Sequence, residues 1–275
     1  MPWRCRGFFL PAARTVFLRV SANKLKQLLD EKVKLYNQPG FIEKDPVCIP
    51  HRFSQKQDIE IAGLFAAVLA WGNRTSIINN CTRLMNWMDN APHDFILHHK
   101  EPDLKPFLHF AHRTFNATDV LYFIHFLQYH YTQHHSLEDA FVPGKKYTED
   151  TVEQALVHFH NYFFSLEHPE RTRKHIATPA RKSACKRLNM YLRWMVRKDR
   201  QGVDFGTWKK ISPRQLVCPL DVHVARVAER LELLPNNKSD WNNALQLTMR
   251  LREFNREDPA VYDYALFGLG MAERF

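Results

Sequence analysis

Apolar positions recur at helical spacing along most of this chain from about residue 22 onward. The series Ile61, Leu64, Phe65, Val68 and Leu69 predicts an amphipathic helix with one face turned to a core. Ser54-Gln55-Lys56-Gln57 ahead of it has the capping-box pattern, and Gly72 suits its end. Ile77, Cys81, Leu84, Met85 and Met88 predict a second helix that stops before Pro92. A third is expected to begin between Asn116 and Asp119 and to carry Val120, Phe123, Ile124 and Leu127, and a fourth to begin near Thr151 with Val152, Ala155, Leu156, Phe159 and Phe163. Residues 141 to 150, with Pro143-Gly144-Lys145-Lys146, read as a loop. A fifth helix is predicted over 183 to 198, its core stripe formed by Ala184, Leu188, Tyr191, Leu192 and Met195. Asp221 opens a sixth, with Val224, Val227, Ala228 and Leu231 inward, and two more are expected from Trp241 to Phe254 and from Pro259 to Glu273. There is no sustained alternation of strand length, no repeat and no G-x-G-x-x-G or Walker-type phosphate loop, so the fold class expected is all-α.

Composition narrows the picture. With 275 residues and 45% hydrophobic content, the chain suits one large domain, residues 22–275, better than several small ones. Residues 1–21 are set apart as an N-terminal extension expected to be disordered. Arg4, Arg6, Arg14 and Arg19 without an acid leave open a transit-like segment or an unstructured start. No apolar run reaches the length of a membrane span, so no membrane association is expected. Five scattered cysteines, with no CxxC pair, read as reduced thiols of an intracellular protein; neither a metal nor another cofactor is expected. The His93-Asp94 pair raises a metal-dependent phosphohydrolase, but the adjacent pairs His98-His99 and His134-His135 point to different helix faces and form no ligand set.

The formal charge of +10 changes the picture more through its position than through its size. Between Arg171 and Arg200 stand eleven Lys or Arg residues against a single acid, Asp199. A solvated helix face is the plain explanation, yet solubility faces intersperse both signs and this one does not, so a nucleic acid is the partner expected. Within the run, Lys186, Asn189, Arg193 and Arg197 follow i, i+3, i+7 and i+11 and share one line of the fifth helix. Taken singly, Lys186 reads as a surface lysine and Asp221 as an ordinary N-cap.

Together they carry more. Pro219-Leu220-Asp221-Val222-His223-Val224-Ala225-Arg226-Val227, following a basic lysine-bearing helix, resembles the helix-hairpin-helix DNA glycosylases, the group of endonuclease III and 8-oxoguanine glycosylase. The phrase Ala184-Cys185-Lys186-Arg187-Leu188-Asn189 with Arg193-Trp194-Met195-Val196-Arg197 is similar to a bacterial branch of that superfamily. The likeness extends over most of residues 22–275 and implies a two-lobed helical fold. It also implies a monomer that excises a damaged base, such as an oxidised purine, from double-stranded DNA, with β-lyase strand cleavage as a step the lysine permits. A cytoplasmic, nucleoid-associated location would follow.

In that reading Lys186 is the nucleophile and Asp221 the catalytic carboxylate, with His223 and Arg226 completing the second motif. Asn73 or Arg74 fills the gap left by the extruded base. Arg181, Lys182, Ser183 and Arg187 meet DNA phosphates. Tyr264 and Phe267 are the base-pocket candidates, with ordinary packing as their alternative. A nucleophilic lysine has to be neutral, and the basic run is expected to surround Lys186 with cations that disfavour its charge. Two features depart from the pattern. Pro179-Ala180-Arg181-Lys182-Ser183 stands where a Gly-x-Gly hairpin turn is usual, and the 35-residue interval from Lys186 to Asp221 is long. The missing glycines suit the alternative of a non-catalytic DNA-binding protein on a glycosylase-like scaffold.

Overall fold

Helices account for nearly all regular structure in the computed structural model, which describes residues 21–271, so the all-α expectation holds. The N-terminal extension up to residue 20 and the end of the last predicted helix beyond Met271 lie outside the described residues. Ser21, counted with the extension, instead caps α1 (Ala22–Tyr36) by accepting a hydrogen bond from the Lys24 N–H. Three short 3₁₀ turns follow, Pro39–Lys44, Pro46–Cys48 and Pro50–Arg52. Each opens on a proline, whose missing N–H is no loss at a first helical position.

The central helix is α2 (Lys56–Leu69), buried along its length from Asp58 to Leu69. Its Ser54 capping box does not form: the N-cap is Gln55 without a side-chain bond, and Gln57 reaches the His135 carbonyl instead. Glu60, fully buried in α2, accepts from Tyr131 Oη at 2.9 Å, Ser136 Oγ at 2.6 Å, the Leu137 N–H at 2.9 Å and Trp208 Nε1 at 2.7 Å. Burial pushes its carboxyl pKa up. The complete set of donors is what makes such a buried acid tolerable and ties three distant segments to α2.

After Gly72, which adopts φ +101°, α3 (Arg74–Trp87) buries Ile77, Cys81, Leu84 and Met85 as expected. Then come α4 (Pro92–His98) and a hairpin of two-residue strands, β1 (Ala111–His112) antiparallel to β2 (Phe115–Asn116). Neither was predicted. The strands are too short to show alternation, and α4 presents little more than one helical turn of apolar spacing. Asn116 and Asp119 form a reciprocal cap at the start of α5 (Ala117–Tyr131). Next in the chain are α6 (Glu138–Phe141) and α7 (Glu153–Phe163).

The basic helix, α8 (Lys186–Val196), is shorter than the predicted 183–198 and packs on α2. Tyr191 Oη donates to the Glu60 carbonyl at 3.0 Å. At Gly63 of α2 a Cβ would come within 2.9 Å of Met195 Cε, so the glycine permits this approach. The remaining helices are α9 (Val222–Arg230), α10 (Trp241–Phe254, with the expected bounds) and α11 (Asp263–Met271), the last preceded by a Pro259–Tyr262 turn. α11 lies against α1 and α9, and Gly268 leaves room for the Tyr36 ring. Among the described residues no helix is long and apolar enough to cross a membrane. The outcome of this packing is that the first residues of α3, α8, α9 and α11 meet around one cavity.

Candidate functional site

The segment before α8 turns sharply without glycine. Thr178 Oγ accepts from the Ala180 N–H above a Pro179–Arg181 turn, and then Lys182 and Cys185 both take left-handed backbone conformations, φ +59° and +49°. Such residues are strained relative to glycine. Here the turn is held by the start of α10: Ser183 bridges Asp240, and the Trp241 N–H donates to the Lys182 carbonyl at 3.1 Å. That anchoring delivers Lys186 as the first residue of α8.

Asp221 arrives from the other side. As N-cap of α9 it accepts at Oδ1 from the N–H groups of His223 and Val224, both at 2.9 Å. Its Oδ2 lies 3.4 Å from Lys186 Nζ, with the two side chains 22% and 27% exposed. One carboxylate therefore serves as cap and as ion-pair partner at once, an oxygen for each. The pair forms part of the wall of a cavity of about 430 Å³, and a second cavity of about 280 Å³ lies against the same Lys186 and Asp221.

Carboxylates as well as arginines share the cavity with Lys186. Asp45 and Asp263 both line the larger cavity and both feel its charge. Burial pushes Asp263 up to about 6 against the pull of Arg193 and Lys186, and burial likewise raises Asp45 against Arg193, Arg74 and Lys186. The expected cations are there, since Arg74, Arg187 and Arg193 line the cavity, but each is engaged with other groups. Arg193 is ion-paired with Asp263 and, at 3.3 Å, with Asp204. Arg197 pairs with Asp258 and Asp199, each at 2.8 Å, and with Asp204. Asn189, Arg193 and Arg197 are all buried, so the line they form with Lys186 runs into the interior, with Arg193 still part of the cavity lining.

The other expected site residues divide. Arg74, His223 and Phe267 line the larger cavity, with the Arg74 guanidinium 5.2 Å from the Phe267 ring centre. Ser183 lines the smaller cavity, its Oγ accepting from the Cys185 N–H. Arg181 and Lys182 are exposed on the turn, and Arg226 is exposed on α9. Two expectations, for Tyr264 and Arg187, are corrected by geometry. Tyr264 is 1% exposed and sits behind Arg193, whose guanidinium is stacked 4.3 Å from its ring centre, so it does not line the cavity. Asn73 caps α3 by accepting from the Ser76 N–H and is exposed between Gly72 and Arg74, which line the cavity, so its expected place at the gap in the DNA is not contradicted. Arg187 donates to the carbonyls of Val68 at 2.5 Å and Lys174 at 3.4 Å, which makes it a brace between α2 and the Glu170–His175 turn at the wall of both cavities, in place of a phosphate contact.

Sequence reasoning missed Asp45, Phe41, Trp71 and Met190, all of which line the larger cavity. Asp45-Pro46 reads locally as a turn starter, and the aromatic residues read as core. Only Trp71-Gly72, beside the Asn73-Arg74 already singled out, carried a hint. Among the described residues no group of three or more His, Cys, Asp or Glu side chains is assembled to hold a metal ion. No curated protein and no solved structure matches the chain. The match of a family model across residues 45–272 shows that the chain belongs to a family described as proteins of unknown function, DUF2400.

Proposed function

We propose that the protein is a DNA glycosylase with an associated lyase step, built on a two-lobed helix-hairpin-helix-like scaffold and acting on a damaged base in duplex DNA. The observation that carries this reading is the approach of Lys186 Nζ to Asp221 Oδ2, 3.4 Å, at the wall of a cavity of about 430 Å³. That volume lies in the range of small-molecule sites. A base inside a duplex is out of reach, so the nucleotide has to rotate into the cavity at a cost of roughly a few kcal/mol.

In the chemistry proposed, Asp221 takes a proton from the Lys186 ammonium and the free amine attacks C1′. The bond from C1′ to the base breaks, and the base leaves with the electron pair and is protonated on its ring nitrogen. Opening of the C1′–O4′ bond gives an imine between Lys186 and the sugar. Loss of a C2′ proton then expels the 3′ phosphate, and water releases the lysine. The exposed Arg181 and Lys182 beside the helix N-terminus supply the phosphate contacts in this reading.

Borohydride reduces such an imine to a stable amine, so incubating the protein with borohydride and a duplex containing an abasic site should yield a covalent adduct. Lys186→Gln should abolish it while circular dichroism and thermal unfolding stay close to wild type. DNA binding without any adduct would favour the non-catalytic scaffold instead.

A further inference from the structure

The larger cavity contains a carboxylate that the chemistry above does not use. Asp45 is 7% exposed and lines the cavity with Lys186 and Asp221. It closes the Pro39–Lys44 turn and caps the next one, its Oδ1 accepting from the Val47 N–H at 3.1 Å. No described residue donates a hydrogen bond to its Oδ2. A carboxylate oxygen that no protein donor engages, on a residue lining a cavity, has the properties of a ligand contact. Resting on the glycosylase reading, we infer that Asp45 reads the edge of the extruded base and selects purines of the 2-amino-6-oxo type, the guanine class of lesions.

The argument is one of donors and acceptors. A carboxylate accepts only, and each of its oxygens has two lone-pair directions, so Asp45 has capacity for two further N–H donors even with Val47 bound. Guanine-type bases present two adjacent donors, N1–H and the 2-amino group. Adenine and cytosine place a ring-nitrogen acceptor beside their amine. Uracil and thymine flank N3–H with two carbonyl oxygens, which a carboxylate repels. The cations nearest Asp45 do not remove this preference. Arg193 is already bound to Asp204 and Asp263, Lys186 faces Asp221, and Arg74 lies against Phe267.

The test pairs each guanine-type lesion with its counterpart lacking the 2-amino group: 8-oxoguanine against 8-oxohypoxanthine, and 7-methylguanine against 7-methylhypoxanthine. All are presented in the same duplex, alongside an abasic duplex trapped with borohydride. Wild type should excise the 2-amino base about 10- to 100-fold faster, the effect of one hydrogen bond to a charged group. In Asp45→Asn, whose amide offers an N–H where the base also offers one, that preference should fall to less than about threefold, rates being taken relative to the variant's own abasic adduct. Equal excision of the paired bases by wild type overturns the inference even if the variant fails to fold. So does an undiminished preference in a folded Asp45→Asn, or no excision of any guanine-type base by protein that traps abasic DNA. Absence of the abasic adduct itself would instead remove the glycosylase reading on which Asp45 depends.

Discussion

The two ends of α8 carry basic residues on one line and give them opposite surroundings. At the C-terminal end, Arg193 and Arg197 are buried among Asp204, Asp258, Asp263 and Asp199, with every guanidinium engaged. At the N-terminal end, Lys186 keeps one carboxylate at 3.4 Å, remains partly open and faces a cavity. A closed network of this kind fixes how α8, α11 and the connector after α8 sit on one another. The open pair has what a reaction needs and a structural brace does not: an accessible amine, an adjacent acceptor and space for a third group. The comparison teaches that one charge run meets two distinct environments, a closed network and a pair open to a cavity, and in the function proposed the second is the reactive one.

Breaking the closed end should produce the largest effect on stability. Arg193→Ala leaves Asp204 and Asp263 buried without their shared cation, and removing one partner of such a network costs about 3–5 kcal/mol. Lys186→Gln interrupts a partly exposed pair, where about 0–1 kcal/mol is the usual scale. Chemical denaturation of both variants beside wild type checks the contrast. Equal losses would mean that the two ends of α8 are alike and that the Lys186–Asp221 pair is a brace as well.

Legibility in the sequence followed the same division. The bounds of α10 were readable because its apolar spacing starts directly after Asp240, whose side chain caps the helix through the Asn243 N–H. Asp221 was readable as the start of α9, and its pairing with Lys186 came from the resemblance of two motifs, not from spacing alone. The burial of Arg193 and Arg197 was hidden, since two of their acids lie 70 residues away at Asp263 and 61 away at Asp258, and a third, Asp204, falls just past the basic run. A tally of Lys and Arg over 171–200 cannot register carboxylates supplied from α11 and the turn before it. Arg171 was hidden in the same way: it engages Asp119 from α5. Asp45 was illegible as a site residue because a cavity is a property of packing, and its local pattern is that of a turn.

Asp221 sharpens the comparison at the open end. Asp221→Asn keeps an oxygen for the His223 and Val224 N–H groups, so thermal stability should change little, while excision should fall by about 10²- to 10³-fold through loss of the negative charge beside Lys186. Asp221→Ala should lose both activity and about 1 kcal/mol of stability. Full excision by Asp221→Asn would reduce the residue to a cap and sink the chemistry proposed.

The smallest expected effect concerns how much of the basic run reaches DNA. Of the cations between Arg171 and Arg200, five are held by internal partners: Arg171, Arg173, Arg187, Arg193 and Arg197. Lys174, Arg181 and Lys182 remain exposed around the hairpin turn. Three phosphate contacts release counterions to give a slope of log affinity against log salt of about −3, far shallower than eleven cations would produce. Arg181→Ala and Lys182→Ala should each reduce that slope by about 0.9 and weaken binding alike for every sequence. Arg193→Met, by contrast, should leave the slope unchanged in whatever protein remains folded, because that guanidinium is enclosed by acids. Titration of a fluorescent duplex at several salt concentrations measures all three. A slope that responds to Arg193 and ignores Arg181 and Lys182 would place the DNA on the closed end of α8, and the distinction between its two ends would fail.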